Sequence, residues 1–386
     1  MIRKSLALVA GGALLWLATP ASSQPQARGS MLHTYRVVTV ADGLVTPWSM
    51  SWLPDGDMLI TERPGRLRIV RHGLLLPDAV PGTPEVHAQG QGGLFDVLPH
   101  PSFASNRLLY LSYAMSNAGG STTKVVRARF ENDRLGTLEP IFEAVAQGRS
   151  HYGGKLAFDA NGFLFITLGD RQVPPAGDLE AHPAQDLSNH HGVTIRLHDD
   201  GRVPADNPFV GRSDALPETW SYGHRNMQGL AIHPVTGDVW TTEHGPQGGD
   251  ELNRDQAGKN YGWPVIGYGV NYTTGLAIHE GTMREGMEHP VHFWVPSIAA
   301  SGLMIYTGDR FPQWKGNMFA GGLAGQQLAR LTLSEDNREV VSEETLIQGI
   351  GRIRDVRQGP DGYIYVAIED RDGAPTAVVR LEPSDS

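Results

Sequence analysis

One histidine and one aspartate stand where they could form an acid–base pair. His151 lies in the stretch SHYGG (150–154), and Asp170 follows at the far end of the next predicted strand. Pairing within a hairpin would bring Asp170 near His151, and a histidine oriented by a carboxylate can act as a general base. The alternative is a turn histidine whose imidazole is hydrogen-bonded to the backbone.

Three arginines occupy positions suited to binding an anion. Arg225 and Asn226 lie in a short loop between glycines, YGHRNMQG (222–229), and Arg352 and Arg354 share one face of a predicted strand. A planar guanidinium fits carboxylate or phosphate groups. Arg352 and Arg354 would repel each other unless an anion or a carboxylate of the protein lies between them. The alternatives are a solvated loop with one ion pair and simple surface exposure.

A third segment, EHGPQGGDE (243–251), combines potential backbone and side-chain oxygen ligands. Gly245 and Pro246 would expose carbonyl oxygens, and the carboxylates of Asp250 and Glu251 follow closely. These are hard ligands of the kind that Ca2+ prefers, although their spacing is not that of an EF-hand. An acidic turn in water is the alternative.

Several other kinds of site are excluded. The loop GQGG (90–93) carries one amide, Gln91, but departs from GxGxxG and has no βαβ context, so it does not predict a nicotinamide-dinucleotide site. The sequence has no HExxH zinc motif, no GxSxG elbow and no Walker A motif. It also has no cysteine, which excludes thiolate nucleophiles, iron–sulfur clusters and c-type haem.

Six turns, each followed by strand-forming residues, set the predicted fold. Gly, Asn and Asp favour the positive φ of tight hairpins, and the apolar runs that follow are typical of buried strands. The spacing fits blades of roughly 40–50 residues with long central insertions. We predict an all-β, six-bladed β-propeller with four-stranded antiparallel blades, long loops over a central site, and a last blade shared by strands 35–40 and 377–381. The turns are Asp55-Gly56, Asn106-Arg107, Asn161-Gly162, Gly237-Asp238, Gly316-Asn317 and Asp361-Gly362.

The first residues have the pattern of a secretory signal peptide. Arg3 and Lys4 precede an apolar stretch too short to span a bilayer and a small-residue cleavage site. We expect a signal peptide (1–23), a flexible leader (24–33) and one propeller domain (34–386), located in the periplasm or secreted, with no membrane span in the mature chain. Cleavage would remove two of the 32 Lys and Arg residues and none of the 42 Asp and Glu residues, changing the net charge from −10 to −12. Such a charge argues against nucleic-acid binding.

Taken in order, these motifs resemble the soluble quinoprotein glucose dehydrogenases and aldose sugar dehydrogenases, also called glucose/sorbosone dehydrogenases. The resemblance covers roughly residues 35–381. It rests on GQGGL (90–94), SHYGGKL (150–156), GHRNMQGL (223–230), EHGP with DELN (243–253), NYGWP (260–264) and RIRDV (352–356). It implies a six-bladed propeller that binds pyrroloquinoline quinone (PQQ) and calcium and oxidises C1 of aldoses to lactones.

The resemblance also implies roles for individual residues. His151 would be the base that takes the C1 hydroxyl proton while a hydride moves to C5 of the quinone, and Asp170 would orient it. Arg225 would polarise the quinone oxygens, with Asn226 beside it, and Gln91 would touch the cofactor or the sugar.

The remaining implied roles concern charge. Arg352 and Arg354 would pair with the PQQ carboxylates, and the carbonyls of Gly245 and Pro246 would hold the cofactor's calcium. Glu251 and the Tyr261 backbone would form a second, structural calcium site.

One loop departs from the family pattern. Ala324 stands where the glucose-specialised members have a lysine that contacts PQQ, and Gln326 or Gln327 is the candidate to replace that contact.

Two other functions are considered: a non-catalytic propeller that has lost its cofactor and serves as a binding module, and a calcium-dependent lactonase or esterase. The expected partners are an aldose and an unidentified electron acceptor, and the protein would act as a monomer or a homodimer.

Overall fold

A computed structural model describes residues 26–384, so the predicted signal peptide lies outside the described residues. Within that range the chain is almost entirely strand and loop. The helical segments are one short α-helix, α1 (Phe103–Asn106), and three 3-10 turns at Leu179–Ala181, Pro183–Gln185 and Pro312–Trp314. No helix in the described range is long and apolar enough to cross a membrane.

The strands form six antiparallel sheets, the blades of a propeller. The first two strands, β1 (Arg28–Gly29) and β2 (Thr34–Val45), belong to blade 6. Blade 1 consists of β3 (Pro47–Trp52), β4 (Met58–Glu62), β5 (Arg66–Arg71) and β6 (Leu74–Leu75). Blade 2 consists of β7 (Leu94–Pro99), β8 (Leu108–Asn117) and β9 (Gly120–Glu131), with β10 (Arg134–Leu135) and β11 (Glu139–Glu143) both paired with β9. Blade 3 consists of β12 (Leu156–Phe158), β13 (Leu164–Thr167), β14 (Thr194–Leu197) and β15 (Thr219–Ser221).

The other three blades follow in chain order. Blade 4 consists of β16 (Met227–Ile232), β17 (Val239–Glu243), β18 (Asp250–Asp255) and β19 (His292–Trp294). Blade 5 consists of β20 (Ala300–Ile305), β21 (Met318–Gly322), β22 (Gln327–Leu333) and β23 (Val340–Leu346). Blade 6 consists of β24 (Arg352–Gln358), β25 (Ile364–Glu369) and β26 (Pro375–Pro383), to which β2 and β1 are added.

The predicted propeller is confirmed. Each of the six predicted turns leads into the second strand of a blade, and Gly56 and Gly162 have φ of 94° and 83°, values that glycine adopts readily. The innermost strands β3, β7, β12, β16, β20 and β24 contact one another in a closed cycle. Every blade therefore presents the start of one inner strand to the same end of the ring.

Strands from the two chain ends share blade 6, as predicted. β2 pairs antiparallel with β26, with Val37 opposite Leu381, which closes the ring without leaving an open edge between first and last blades. Arg28–Gly29 pairs with β2, in the segment where the sequence predicted a flexible leader. Blades 2 and 6 thus carry five strands instead of the predicted four.

Apolar side chains fill the space between blades, and ion pairs cross the centre of the ring. Lys155 is buried, and its Nζ lies 2.8 Å from Asp355 Oδ1. Arg357 bonds the other Asp355 oxygen at 3.0 Å and reaches Asp96 at 3.3 Å. These four residues connect blades 2, 3 and 6 directly beneath the cavity described below.

Candidate active site

A cavity of about 870 Å³ opens at the end of the ring where the innermost strands begin. This volume lies in the range of roughly 300–1,000 Å³ that is typical of cofactor and small-molecule sites. Every blade contributes to the wall from the start of its innermost strand or the loop just before it. These contributions include Trp48, Gln91, His151, Arg225, Ala299 and Arg352.

The hairpin of blade 3 brings His151 and Asp170 together. His151 Nδ1 lies 2.6 Å from Asp170 Oδ1, and both side chains are buried. Asp170 is held by two further donors, the backbone N–H of Gln172 at 2.8 Å and the indole Nε1 of Trp263 at 2.8 Å. Because a carboxylate only accepts hydrogen bonds, His151 carries its proton on Nδ1 and keeps the Nε2 lone pair for other chemistry.

The surroundings favour the neutral form of His151. Burial lowers its pKa below the usual 6.5, and the cations of Arg225 and Arg171 act in the same direction against the opposing effect of Asp170. Burial alone would raise the pKa of Asp170, but the contacts with His151, the Arg225 cation and the Gln172 N–H together outweigh burial, and this pKa is lowered. The pair is therefore a neutral imidazole next to an ionised carboxylate at neutral pH.

Gln91, Arg225 and Asn226 lie around this pair. The side-chain oxygen of Gln91 accepts from the His151 backbone N–H at 3.0 Å, and that of Asn226 accepts from Gly153 N–H at 3.2 Å. Arg225 donates through Nη1 to the carbonyls of His244 at 2.9 Å and Gly245 at 2.6 Å. Its buried Nε has no protein partner among the described residues.

Arg352 and Arg354 also line the cavity, and a carboxylate of the protein separates their charges. Glu369 accepts from Arg352 Nε at 3.0 Å and from Arg354 Nε at 2.8 Å, so a carboxylate of the protein lies between them. Arg354 Nη1 donates to the Gln228 side chain at 2.5 Å. Both guanidinium groups still face the cavity.

Sequence reasoning missed several residues of this wall. Glu369 lies directly opposite Arg352 in the β24–β25 ladder, so the register of that hairpin was the signal that could have found it. Arg63 reaches the cavity from the β4–β5 turn of blade 1, and Arg371 reaches it from the β25–β26 turn of blade 6, two residues beyond Glu369. With them the wall contains five arginines but only two carboxylates, Glu369 and Asp370. This excess of fixed positive charge suits a polyanionic ligand.

Four predicted metal ligands lie around a second, smaller cavity. Gly245, Pro246, Glu251 and Tyr261 line a space of about 10 Å³, large enough for one water molecule or ion. Arg225 and His244 line both cavities, so the two spaces are neighbours. The four residues are thus brought together, beside the larger cavity and not inside it.

The electrostatics of this small cavity fit a bound cation. Burial and the nearby Glu243 carboxylate raise the pKa of Glu251 well above its usual value, and its one hydrogen-bond donor is Asn253 Nδ2 at 3.1 Å. The side-chain oxygen of Asn253 is buried without a partner in the described range. Residues 26–384 contain no group of three acidic or histidine side chains that could hold a metal, so backbone carbonyls would have to complete a coordination shell.

The comparisons with known proteins decide the family. The model of the glucose/sorbosone dehydrogenase family matches residues 44–380. The chain belongs to the glucose/sorbosone dehydrogenase family. Aldose sugar dehydrogenase YliI of Escherichia coli is 41% identical over 350 residues, which are 88% of this chain and 91% of the relative.

Two solved structures of this family resemble the fold closely. The soluble aldose sugar dehydrogenase of Escherichia coli in its apo form has a TM-score of 0.83 and 38% identity, covering 91% of this chain and all of the other. The PQQ-bound aldose sugar dehydrogenase of Streptomyces coelicolor has a TM-score of 0.73 and 26% identity, covering 94% of this chain and all of the other.

The expectation that Gln326 or Gln327 replaces a lysine contact in the loop containing Ala324 is wrong. Ala324, where the resemblance implies a lysine in the glucose-specialised members, lines the large cavity. Neither Gln326 nor Gln327 lines it, so these amides do not replace that contact. The Gln327 side chain instead packs against Gly322 and Gly325.

Proposed function

We propose that this protein is a PQQ- and calcium-dependent aldose dehydrogenase that oxidises the C1 hydroxyl of a sugar to the lactone. The observation that carries the proposal is the His151–Asp170 pair in a cavity walled by five arginines. Membership in the glucose/sorbosone dehydrogenase family and the PQQ-bound relative support the choice of cofactor.

The arginine-rich wall would hold the cofactor. PQQ carries three carboxylates, and the cavity offers Arg352 and Arg354, already spaced by Glu369, together with Arg63 and Arg371. Arg225 and Asn226, which both line the cavity, would contact its quinone side. Gln91, which also holds the His151 backbone, would contact the cofactor or the sugar.

His151 would remove the proton. Its Nδ1–H is committed to Asp170, so Nε2 is the atom that accepts the proton of the C1 hydroxyl. As the O–H bond breaks, the C1–H electron pair leaves as a hydride and a C1–O double bond forms. When bound, PQQ supplies the two-electron acceptor for that hydride, and a separate electron acceptor must then reoxidise it.

Calcium would occupy two positions, only one of which can lie in the small cavity, since that cavity has room for one ion. The carbonyls of Gly245 and Pro246 would hold the ion that belongs to the cofactor, where a divalent cation stabilises negative charge as a Lewis acid. Glu251 and the Tyr261 backbone would hold a second ion, which would neutralise the repulsion between Glu251 and Glu243. Export to the periplasm follows from the predicted signal peptide and completes the proposal.

Reconstitution tests the proposal directly. Purified protein would be incubated with calcium and PQQ, and dye reduction would be followed with a panel of aldoses against protein without PQQ. The proposal predicts sugar-dependent dye reduction only when PQQ is present. Absence of PQQ binding would refute it and favour the non-catalytic binding module, for which the loss of the lysine at Ala324 is the specific argument.

A further inference from the structure

Arg171 is a buried cation next to the acid–base pair. Its exposed fraction is 4%, and no Asp or Glu in the described range forms an ion pair with it. The adjacent carboxylate, Asp170, is committed to His151, Gln172 and Trp263. Burying a guanidinium without an ion-pair partner costs free energy of folding, and burial lowers the pKa of Arg171 to about 10 against the opposing charge of Asp170, so the charge of Arg171 is not explained by stability.

Neutral groups fix its position. Nη2 donates to the Thr123 hydroxyl at 2.7 Å, and the guanidinium carbon lies 4.7 Å above the Tyr152 ring. Nη1 donates to the backbone carbonyl of His151 at 3.4 Å. The chain at Gly148 passes so close that a Cβ there would lie 2.7 Å from the Arg171 Cβ. The charge is therefore held in one place, against the backbone of His151.

The groups that face His151 act in opposite directions. Asp170, from the end of the same hairpin, favours the imidazolium form. Two arginines favour the neutral form: Arg225, from the loop before β16, and Arg171. His244, which follows β17, also lies near His151, and burial and the surrounding arginines keep it neutral. Without Arg171, the balance would move toward the charged form, which cannot accept a proton.

We infer that Arg171 is a positioning residue that holds the His151 backbone and keeps its imidazole in the neutral form needed for proton abstraction. The catalytic meaning of this inference rests on the proposed function. Its physical content does not, because the protonation of His151 can be measured in protein that contains neither PQQ nor sugar.

The test is an NMR titration of histidine side chains in the apo-protein. The His151 signal is assigned by its absence from His151→Gln. We expect the wild-type His151 pKa to lie below the ordinary value of about 6.5 despite the contact with Asp170. A wild-type value above about 7 would overturn the inference without any variant of Arg171.

Charge removal should then move that pKa upward. Arg171→Met and Arg171→Gln are both neutral, and the glutamine can still donate hydrogen bonds if the methionine variant fails to fold. We expect in either variant a rise clearly larger than in the Arg129→Met control, because the guanidinium that contacts the His151 carbonyl opposes protonation of the imidazole. Arg171→Lys keeps the charge, and Arg129→Met removes an exposed one, so both should stay near the wild-type value.

Kinetics of the loaded enzyme separate this role from a merely structural one. In the neutral variants the acidic limb of kcat/KM against pH should move up by the same amount as the His151 pKa, with activity recovering above it. A uniform loss at all pH values, with an unmoved limb and an unmoved His151 pKa, would overturn the inference.

Discussion

Replacing Asp170 with asparagine should remove most of the activity while leaving the cavity in place. The carboxylate accepts three hydrogen bonds, from His151 Nδ1, the Gln172 backbone and Trp263 Nε1. An asparagine has one oxygen and one NH₂ group, so its NH₂ must face either Trp263 or the side shared by His151 and Gln172. Both orientations bring hydrogen-bond donors together in a buried place.

The two orientations have different consequences. With NH₂ toward Trp263, His151 keeps its tautomer but loses the neighbouring negative charge. With NH₂ toward His151, Nδ1 must accept, the proton moves to Nε2, and the base is lost. A positioned base contributes on the order of 10²–10⁴-fold, so we expect kcat/KM to fall by that amount. The unpaired buried donors should also lower the free energy of unfolding by about 1–3 kcal/mol.

The assay is the initial rate of dye reduction over a range of aldose concentrations at saturating PQQ and calcium, which gives kcat/KM, with denaturant unfolding of the same samples. Trp263→Phe serves as the control because it removes one donor and leaves the carboxylate. The double variant Asp170→Asn/Trp263→Phe should regain part of the lost stability, since the donor conflict disappears, but little activity. Activity of Asp170→Asn within about threefold of wild type would refute the assignment of Asp170 as the group that orients the base.

Three further predictions concern charge. Lys155→Met should lower the free energy of unfolding by about 3 kcal/mol, because it leaves Asp355 buried with one cation fewer. The control Lys315→Met removes an exposed charge and should change the free energy of unfolding little. Equal effects of the two substitutions in denaturant titrations would contradict the role of the central ion pair. In the presence of a chelator, Glu251→Gln should be at least as stable as wild type, because burial and Glu243 already disfavour the Glu251 carboxylate. Calcium at a 100-fold excess over its Kd should raise the free energy of unfolding of wild type by about 2.7 kcal/mol and leave the variant unchanged. A calcium-induced rise in Tm of the variant would rule out Glu251 as a ligand. Arg354→Gln should weaken PQQ binding roughly 10- to 100-fold in a fluorescence titration, through the loss of a charged hydrogen bond, and unchanged affinity would show that Arg354 does not contact the cofactor.

The fold was largely predictable because its signals are local. A turn with Asn, Asp or Gly before an apolar run marks the second strand of every blade, including the short β13 and β21. The pairing of β2 with β26 followed from the need to close a ring. The added strands β1, β10 and β11 were missed because they are edge pieces of two to five residues without a long apolar run, although the Asn132-Asp133 turn does precede β10.

The site was predictable only in part, for the same reason. His151 and Asp170 belong to one hairpin, so their contact could be inferred from nearby sequence. Trp263 reaches Asp170 across 93 positions in the chain, a distance that no local pattern encodes. Glu369 could have been found from hairpin register, and Arg371 follows it in the same blade, but the approach of Arg63 from blade 1 depends on the closure of the ring.

The most direct test of the account is the reduction of bound PQQ by an aldose in a single turnover, followed by absorbance in wild type and His151→Gln. Both proteins should bind PQQ in the presence of calcium, because the arginine wall is the same in each. Wild type should reduce the bound cofactor on mixing with sugar, and His151→Gln should do so at least about 100-fold more slowly. Equal rates in the two proteins, or no binding of PQQ to either, would contradict it.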